Sequence, residues 1–152
     1  MTQEDLHILL VEDNPNDVKL TLHALREENI ANHIQVARDG EEALDFLFCR
    51  GEFAQRSFDH PPRLVLLDLK LPKVDGLEVL RAVKSDPRTK AIPIVVLTAS
   101  REESDVVDSY RLGVNAYIQK PVGFDAFRLV VKQLGLFWLV VNEPPPPIAF
   151  HF

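Results

Sequence analysis

Three carboxylates in this 152-residue chain stand where apolar runs stop: Glu12 and Asp13 after the run Leu6 to Val11, and Asp68 after Leu64 to Leu67. Thr98 follows Ile92 to Leu97 in the same way, and Lys120 follows Ala116 to Gln119. Brought into one crevice, three carboxylates repel each other unless a cation sits among them. A hard divalent cation that prefers oxygen ligands and keeps several waters, Mg²⁺, suits this set better than zinc, since no histidine lies near these positions. The Thr98 hydroxyl and the Lys120 ammonium suit phosphoryl oxygens. A carboxylate nucleophile beside a metal and a cationic clamp is the equipment for an aspartyl phosphate. In-line attack by Asp68 needs charge neutralised on the transferring oxygens, and Mg²⁺, Lys120 and Thr98 each neutralise part of it.

That chemistry depends on elements that bring distant residues together. Leu6 to Val11 is a continuous apolar run of the kind that forms a strand buried on both faces. Asn14-Pro15-Asn16-Asp17 supplies turn and capping residues, and Val18, Leu22 and Leu25 recur at helical spacing on a helix ending near Asn29. Ile34 to Ala37 is short and partly polar, as an edge strand would be, and the next helix carries Ala43, Leu44, Leu47 and Phe48 on one face. Arg50 to Arg63 loses periodicity and contains Gly51, Ser57, Pro61 and Pro62, which reads as a long surface connection. Leu64 to Leu67 is the third strand, followed by a loop punctuated by Pro72 and Gly76, a helix marked by Leu77, Leu80 and Val83, and a stop at Asp86-Pro87.

Ile92 to Leu97 gives a fourth strand, Glu102 to Leu112 a helix stopped by Gly113, and Ala116 to Gln119 a fifth strand. The final helix begins near Gly123 or Phe124, with Phe127, Val131, Leu134 and Trp138 at helical spacing, before Pro144 to Pro147 forbid further helix. Five strands alternating with five helices predict an α/β sheet wound on both faces, mostly parallel because the strands do not alternate. In the flavodoxin-like order 2-1-3-4-5 the ligand crevice falls between strands one and three, the two that end on acids. The organisation expected is one domain over 1–143 and a Pro-rich tail over 144–152.

Composition narrows the functions. A net charge of −6 with scattered Lys and Arg gives no basic footprint for nucleic acid. The acidic start Met1-Thr2-Gln3-Glu4-Asp5 is unlike a signal peptide, and no apolar run reaches membrane-spanning length, so a cytoplasmic protein is expected. Cys49, the only cysteine, excludes an intrachain disulfide and reads as a small buried hydrophobe. The five histidines, His7, His23, His33, His60 and His151, are scattered without ligand spacing.

The acidic pair after strand one, the apolar strand into Asp68, Thr98-Ala99 after strand four and Lys120-Pro121 after strand five resemble the bacterial response-regulator receiver family, from about Asp5 to Leu139. The resemblance implies Asp68 as phosphoacceptor, Glu12, Asp13, Asp68 and the Lys70 carbonyl as metal ligands, Thr98 as switch hydroxyl, Lys120 as phosphate-binding cation and Tyr117 as switch aromatic. It also implies a cis peptide before Pro121. The long Arg50–Arg63 connection and the continuation past the last helix into Phe137-Trp138-Leu139-Val140-Val141 and a Pro-rich tail look like the single-domain regulators serving cyanobacterial and bacterial phytochromes, so a histidine kinase of the phytochrome type is the implied partner. Leu134 to Val141 is apolar nearly all round, apart from Gly135, and its surplus face asks for cover, for which a homodimer is favoured.

Each residue also has a plainer reading. An acidic pair after a strand is commonly a solvated turn, Thr98 a strand-end hydroxyl, Lys120 a solvated charge, Tyr117 a packed sheet residue, and Asp75-Gly76 simple turn chemistry. A Mg²⁺-dependent phosphatase using an aspartyl phosphate is a rival, opposed by Lys70 where a second acid would stand. A flavodoxin-like carrier is opposed by the acidic Val11-Glu12-Asp13-Asn14 segment, which would repel a flavin phosphate. A receiver kept only as a dimerisation module remains open. The favoured expectation is a phosphorylated switch, not a turnover enzyme.

Overall fold

The computed structural model describes residues 8–27, 33–121 and 123–146. Five strands, β1 (Ile8–Val11), β2 (Ile34–Ala37), β3 (Leu64–Leu67), β4 (Ile94–Thr98) and β5 (Ala116–Gln119), form one parallel sheet in the order β2-β1-β3-β4-β5. Helices α1 (Pro15–Glu27), α2 (Gly40–Leu47), α3 (Gly76–Ser85), α4 (Glu103–Arg111) and α5 (Phe124–Gly135) alternate with them. This is the doubly wound architecture that the sequence implies. The expected end of the first helix at Asn29 lies outside the described residues, as do Leu6, His7, Pro147 and His151.

The apolar strands are continuous because both faces are covered. Leu9, Val11, Val65, Leu67, Ile94 and Val96 pack with Ala43, Phe46 and Leu47 of α2 and Val79, Leu80 and Val83 of α3. Ile8, Leu10, Leu64, Leu66, Val95 and Leu97 pack with Val18, Ala24 and Leu25 of α1 and Phe127, Val131 and Leu134 of α5. Burying each Val, Leu, Ile or Phe among these contributes about 1.5–3 kcal/mol, so these two layers fix the sheet from which the rim residues project. Asp39 and Asp75 cap α2 and α3, accepting from the Glu42 and Glu78 backbone N–H groups at 2.7 and 3.0 Å. Asp75 is thus a capping residue, in line with the turn reading.

Two expectations need correction, and a third gains detail. Cys49 is half-buried, because α2 ends at Leu47 and the chain turns there through a left-handed residue, Cys49 at φ 54°. Its Sγ lies 3.7 Å from Arg56 Nη1. The 50–63 connection runs over the surface as expected and carries local order: Gly51–Phe53 forms a 3₁₀ turn, and Arg56 stacks 3.7 Å over the Phe46 ring while donating to the Phe46 and His60 carbonyls. Beyond α5 the chain continues as a π-helical turn, Leu136–Val141, so the next buried apolar side chain after Leu134 is Leu139, five residues on, and Trp138 is only partly covered. Among the described residues no helix is long and apolar enough to cross a membrane.

Candidate phosphoryl and metal site

Register builds the site. Val11 and Leu67 are paired across β1 and β3, so Glu12 and Asp68 leave the sheet side by side. The Asp68 N–H donates to the Val11 carbonyl at 3.0 Å, and the Glu12 N–H to Ala37 at 3.0 Å. The Lys120 N–H donates to the Thr98 carbonyl at 2.7 Å, which fixes the end of β5 against β4. Glu12, Asp68, Thr98 and Lys120, distant in sequence, therefore share one rim because parallel strands all end on the same side.

Asp68 is 8 % exposed and fully engaged. Its Oδ1 accepts from the Thr98 hydroxyl at 2.7 Å and the Lys70 N–H at 3.3 Å; its Oδ2 accepts from Lys120 Nζ at 2.9 Å. Thr98 is completely buried. Lys120 also donates to Glu12 Oε1 at 2.5 Å and to Asp17 Oδ2 at 2.9 Å, so its three protons meet three carboxylates. Asp13 is exposed, with no hydrogen-bond or ion-pair partner among the described residues.

One ammonium cannot balance four acids, and the electrostatics show it. The Glu12 carboxyl stands raised to about 7, chiefly by burial and further by the Asp68 charge, against the pull of Lys120 and the Asn14 N–H. Burial opposes the charge on Asp68 too, yet Lys120, the Thr98 hydroxyl and the Lys70 N–H together hold its carboxyl below the ordinary value. Lys120 is held firmly cationic: burial works against its charge, and its bonds to Glu12, Asp17 and Asp68 overcome that.

The donor set fits a hard divalent cation. Glu12, Asp13 and Asp68 each offer a carboxylate oxygen, all within 4.8 Å of one another, with no sulfur or imidazole among them. The loop from Leu69 to Asp75, which carries the Lys70 carbonyl, is tied down by two glycines. A Cβ on Gly76 would lie 2.4 Å from the Asp68 carbonyl oxygen and one on Gly40 1.8 Å from that of Val74. The Gly76 N–H donates to the Leu69 carbonyl at 2.8 Å, and the Gly40 N–H to that of Pro72 at 3.3 Å.

A polar relay leaves the site toward α4. The Ser100 N–H donates to Thr98 Oγ1 at 3.4 Å, Ser100 Oγ lies 2.6 Å from Asp105 Oδ2, and Lys70 Nζ is 3.5 Å from the same oxygen. Tyr117 donates its hydroxyl to the Ser100 carbonyl at 3.2 Å; it is half-buried against the sheet. Burial pushes the Tyr117 phenol up.

Sequence reasoning thus places Glu12, Asp13, Asp68, Thr98 and Lys120 on one rim, with Lys70 and Tyr117 beside it. The Lys120–Pro121 peptide is trans, against the implied cis bond. Lys120 reaches the site regardless, drawn by three carboxylates, and a prolyl peptide prefers trans by only about 0.5–1 kcal/mol. Asp17, Ser100 and Asp105 were missed. An acid five residues after Glu12 in the first turn of α1, and a hydroxyl and an acid flanking the start of α4, were the available signals.

The fold and this site define a doubly wound phosphoryl-binding domain of the flavodoxin-like order. The match of residues 8–132 to the response regulator receiver domain is decisive, and the chain belongs to that family. It is 43% identical over 140 residues to the probable methanogenesis regulatory protein FilR2 of Methanothrix harundinacea, covering 92% of this chain and 88% of that protein. It is 42% identical over 132 residues to the response regulator Rcp1 of Synechocystis, covering 87% and 88%. The crystal structure of the Mn²⁺-bound form of Rcp1 superposes with a TM-score of 0.86, at 41% identity over 92% of this chain and 99% of that one. That of the phosphorylated cyanobacterial phytochrome response regulator RcpA gives 0.87, at 43% identity, covering 93% and 99%.

Proposed function

We propose that this chain, a receiver unit through residue 143, accepts a phosphoryl group from a histidine kinase on Asp68 and signals through changed protein contacts. The observation that carries the reading is the shared carboxylate: Thr98, Lys120 and the Lys70 N–H all address Asp68, while Glu12 and Asp13 stand beside it. Glu12, Asp13, Asp68 and the Lys70 carbonyl would hold Mg²⁺, which when bound neutralises charge on the transferring oxygens. The Mn²⁺-bound form of Rcp1 supports a divalent ion.

An Asp68 oxygen attacks phosphorus in line; the new O–P bond forms as the P–N bond of the phosphohistidine breaks, and the imidazole leaves with the electron pair. Thr98 turns from the carboxylate to the new phosphoryl oxygens, and Lys120 turns one of its three protons to them. Movement of Thr98 pulls on Ser100, whose bonds to Asp105 and Tyr117 carry the change to the start of α4 and to β5. Water attacking phosphorus later releases phosphate and restores the carboxylate.

The kinase would be of the phytochrome type, on the likeness to RcpA, a phytochrome response regulator. Output would be protein contact in the cytoplasm, without nucleic acid. Leu136, Phe137, Val140 and Val141 are 42–70 % exposed at the end of α5, and a second copy of the chain would cover them.

The test is intact mass after incubation with acetyl phosphate, with and without Mg²⁺, for the native chain and Asp68→Asn. A single phosphoryl adduct requiring both Mg²⁺ and Asp68 is expected. No adduct, together with no beryllofluoride binding, would overturn the reading and leave the apolar C-terminal surface as the functional feature.

A further inference from the structure

Asp17 lies outside the set Glu12, Asp13 and Asp68 yet takes one of the three protons of Lys120, at 2.9 Å. It sits in the first turn of α1, where an acid needs no function to be favourable, because the exposed N–H groups of a helix start welcome negative charge. Its side chain does not stop at that role; it reaches across to the end of β5. The three partners of the ammonium are unequal. Glu12 and Asp68 side chains are 5 % and 9 % exposed, whereas that of Asp17 is 25 % exposed.

A phosphoryl group on Asp68 must take Lys120 from something. Glu12 is the most deeply buried of the three and has little water to turn to, and Asp68 is itself the acceptor. Asp17 alone can turn to water with little loss. From this geometry we infer that Asp17 is a positioning residue: it holds Lys120 in reserve in the unphosphorylated state and competes directly with the incoming phosphoryl oxygens for the ammonium. The bond that breaks on phosphorylation is the Lys120–Asp17 ion pair, and the bond that forms is from the same Nζ to a phosphoryl oxygen.

The inference rests on the phosphoacceptor reading, and its test separates the two. Phosphorylation of native protein, Asp17→Asn and Asp17→Glu is followed by intact mass over a series of acetyl phosphate concentrations in saturating Mg²⁺. Asp17→Asn should lower the half-saturating donor concentration about fivefold, roughly the weight of one partly exposed ion pair. Its maximal rate should stay within about twofold, because the groups that touch the reacting atoms are intact. Asp17→Glu, which keeps the competing carboxylate, should restore the native half-saturation. Asp17→Ser, a second uncharged replacement, should follow Asp17→Asn and guards against a folding artefact of one variant.

Removing any nearby acid attracts an anion at long range, so the series is repeated in about 0.5 M KCl, where that attraction is screened and a direct contact persists. An unchanged or raised half-saturation in Asp17→Asn overturns the inference, as does an effect abolished by salt. A native protein that takes no phosphate overturns the parent reading as well; a labelled native protein with an indifferent Asp17→Asn overturns the inference alone.

Discussion

The rim of the sheet and the end of α5 are opposite kinds of surface. At the rim, buried polar groups are engaged: Thr98 is completely buried, and Asp68 and Lys120 spend their oxygens and protons on named partners. At the end of α5, Val140 and Val141 stand 67 % and 70 % exposed with apolar side chains. The first region is over-determined by what it contains, the second under-determined by what it lacks. Free energy at the rim is set by charge balance, so removing one partner is severe. At the helix end it is set by apolar area still in water, so changes there act on association more than on folding.

The largest break in that contrast is Lys120→Met. It removes the cation shared by Glu12, Asp17 and Asp68 and leaves buried carboxylates facing each other. Loss of one partner from such a buried set costs about 3–5 kcal/mol, part of which protonation of Glu12 relieves. Urea unfolding of the metal-free protein should show the loss, and Mg²⁺ should recover much of it by supplying the missing positive charge. A Lys120→Met protein as stable as native would mean that the acids are solvated and the rim is not charge-limited.

Next in size is Gly76→Ala. The added Cβ would meet backbone, the Asp68 carbonyl oxygen at 2.4 Å and Leu69 Cα at 2.5 Å, so the loop carrying Lys70 must move. Overpacking of this kind costs about 1–3 kcal/mol. A melt should show that loss, and phosphorylation should fall with it, because the Lys70 N–H bond to Asp68 sits on the displaced segment.

Why the rim was the more legible region follows from its construction. A parallel strand buried on both faces must be apolar throughout, so Val11–Glu12 and Leu67–Asp68 are sharp edges in the sequence. Once strand order is granted, those edges coincide in space. Lys120 was legible by its place after the fifth strand and not by a sharp edge, since β5 is half-buried and ends on the exposed Gln119. Asp17 was not, because a first-turn acid is unremarkable on any helix and its distance to Lys120 depends on how α1 crosses the sheet. The relay through Ser100 and Asp105 depends on the turn between β4 and α4, which carries no periodic signal. The Arg56 stack on Phe46 escaped for a related cause: a cation over a ring leaves no spacing pattern. At the end of α5, the sequence showed surplus apolarity but not the π turn that hands burial from Trp138 to Leu139.

A smaller effect comes from pH. Glu12, pushed up to about 7 chiefly by burial, holds its proton more tightly in the folded chain than at its ordinary value of 4.5. The folded state therefore binds more protons between those values, and Glu12's contribution to stability falls as pH rises through that window. Asp68 is shifted the other way, below its ordinary 3.8, so its opposing effect is confined to more acid solution. Metal-free protein should melt higher near about pH 5.5 than about pH 7.5, and the difference should shrink in Glu12→Gln. The same difference in both proteins would place its origin away from the rim.

The smallest expected change in stability is the sharpest test of the contrast. Val140→Ser with Val141→Ser removes apolar surface that is already two-thirds in water, on a turn whose buried anchor, Leu139, is untouched. Exposed substitutions of this sort stay within about 0.5 kcal/mol of native in unfolding measurements. If a second copy covers this surface, sedimentation equilibrium should show the dimer weakened by about tenfold or more, since 1.4 kcal/mol of lost apolar burial suffices for that factor. Weakened association without lost stability keeps the two regions distinct. Lost stability without altered association would instead make the turn part of the core, and the rim would then be the molecule's main exposed functional surface.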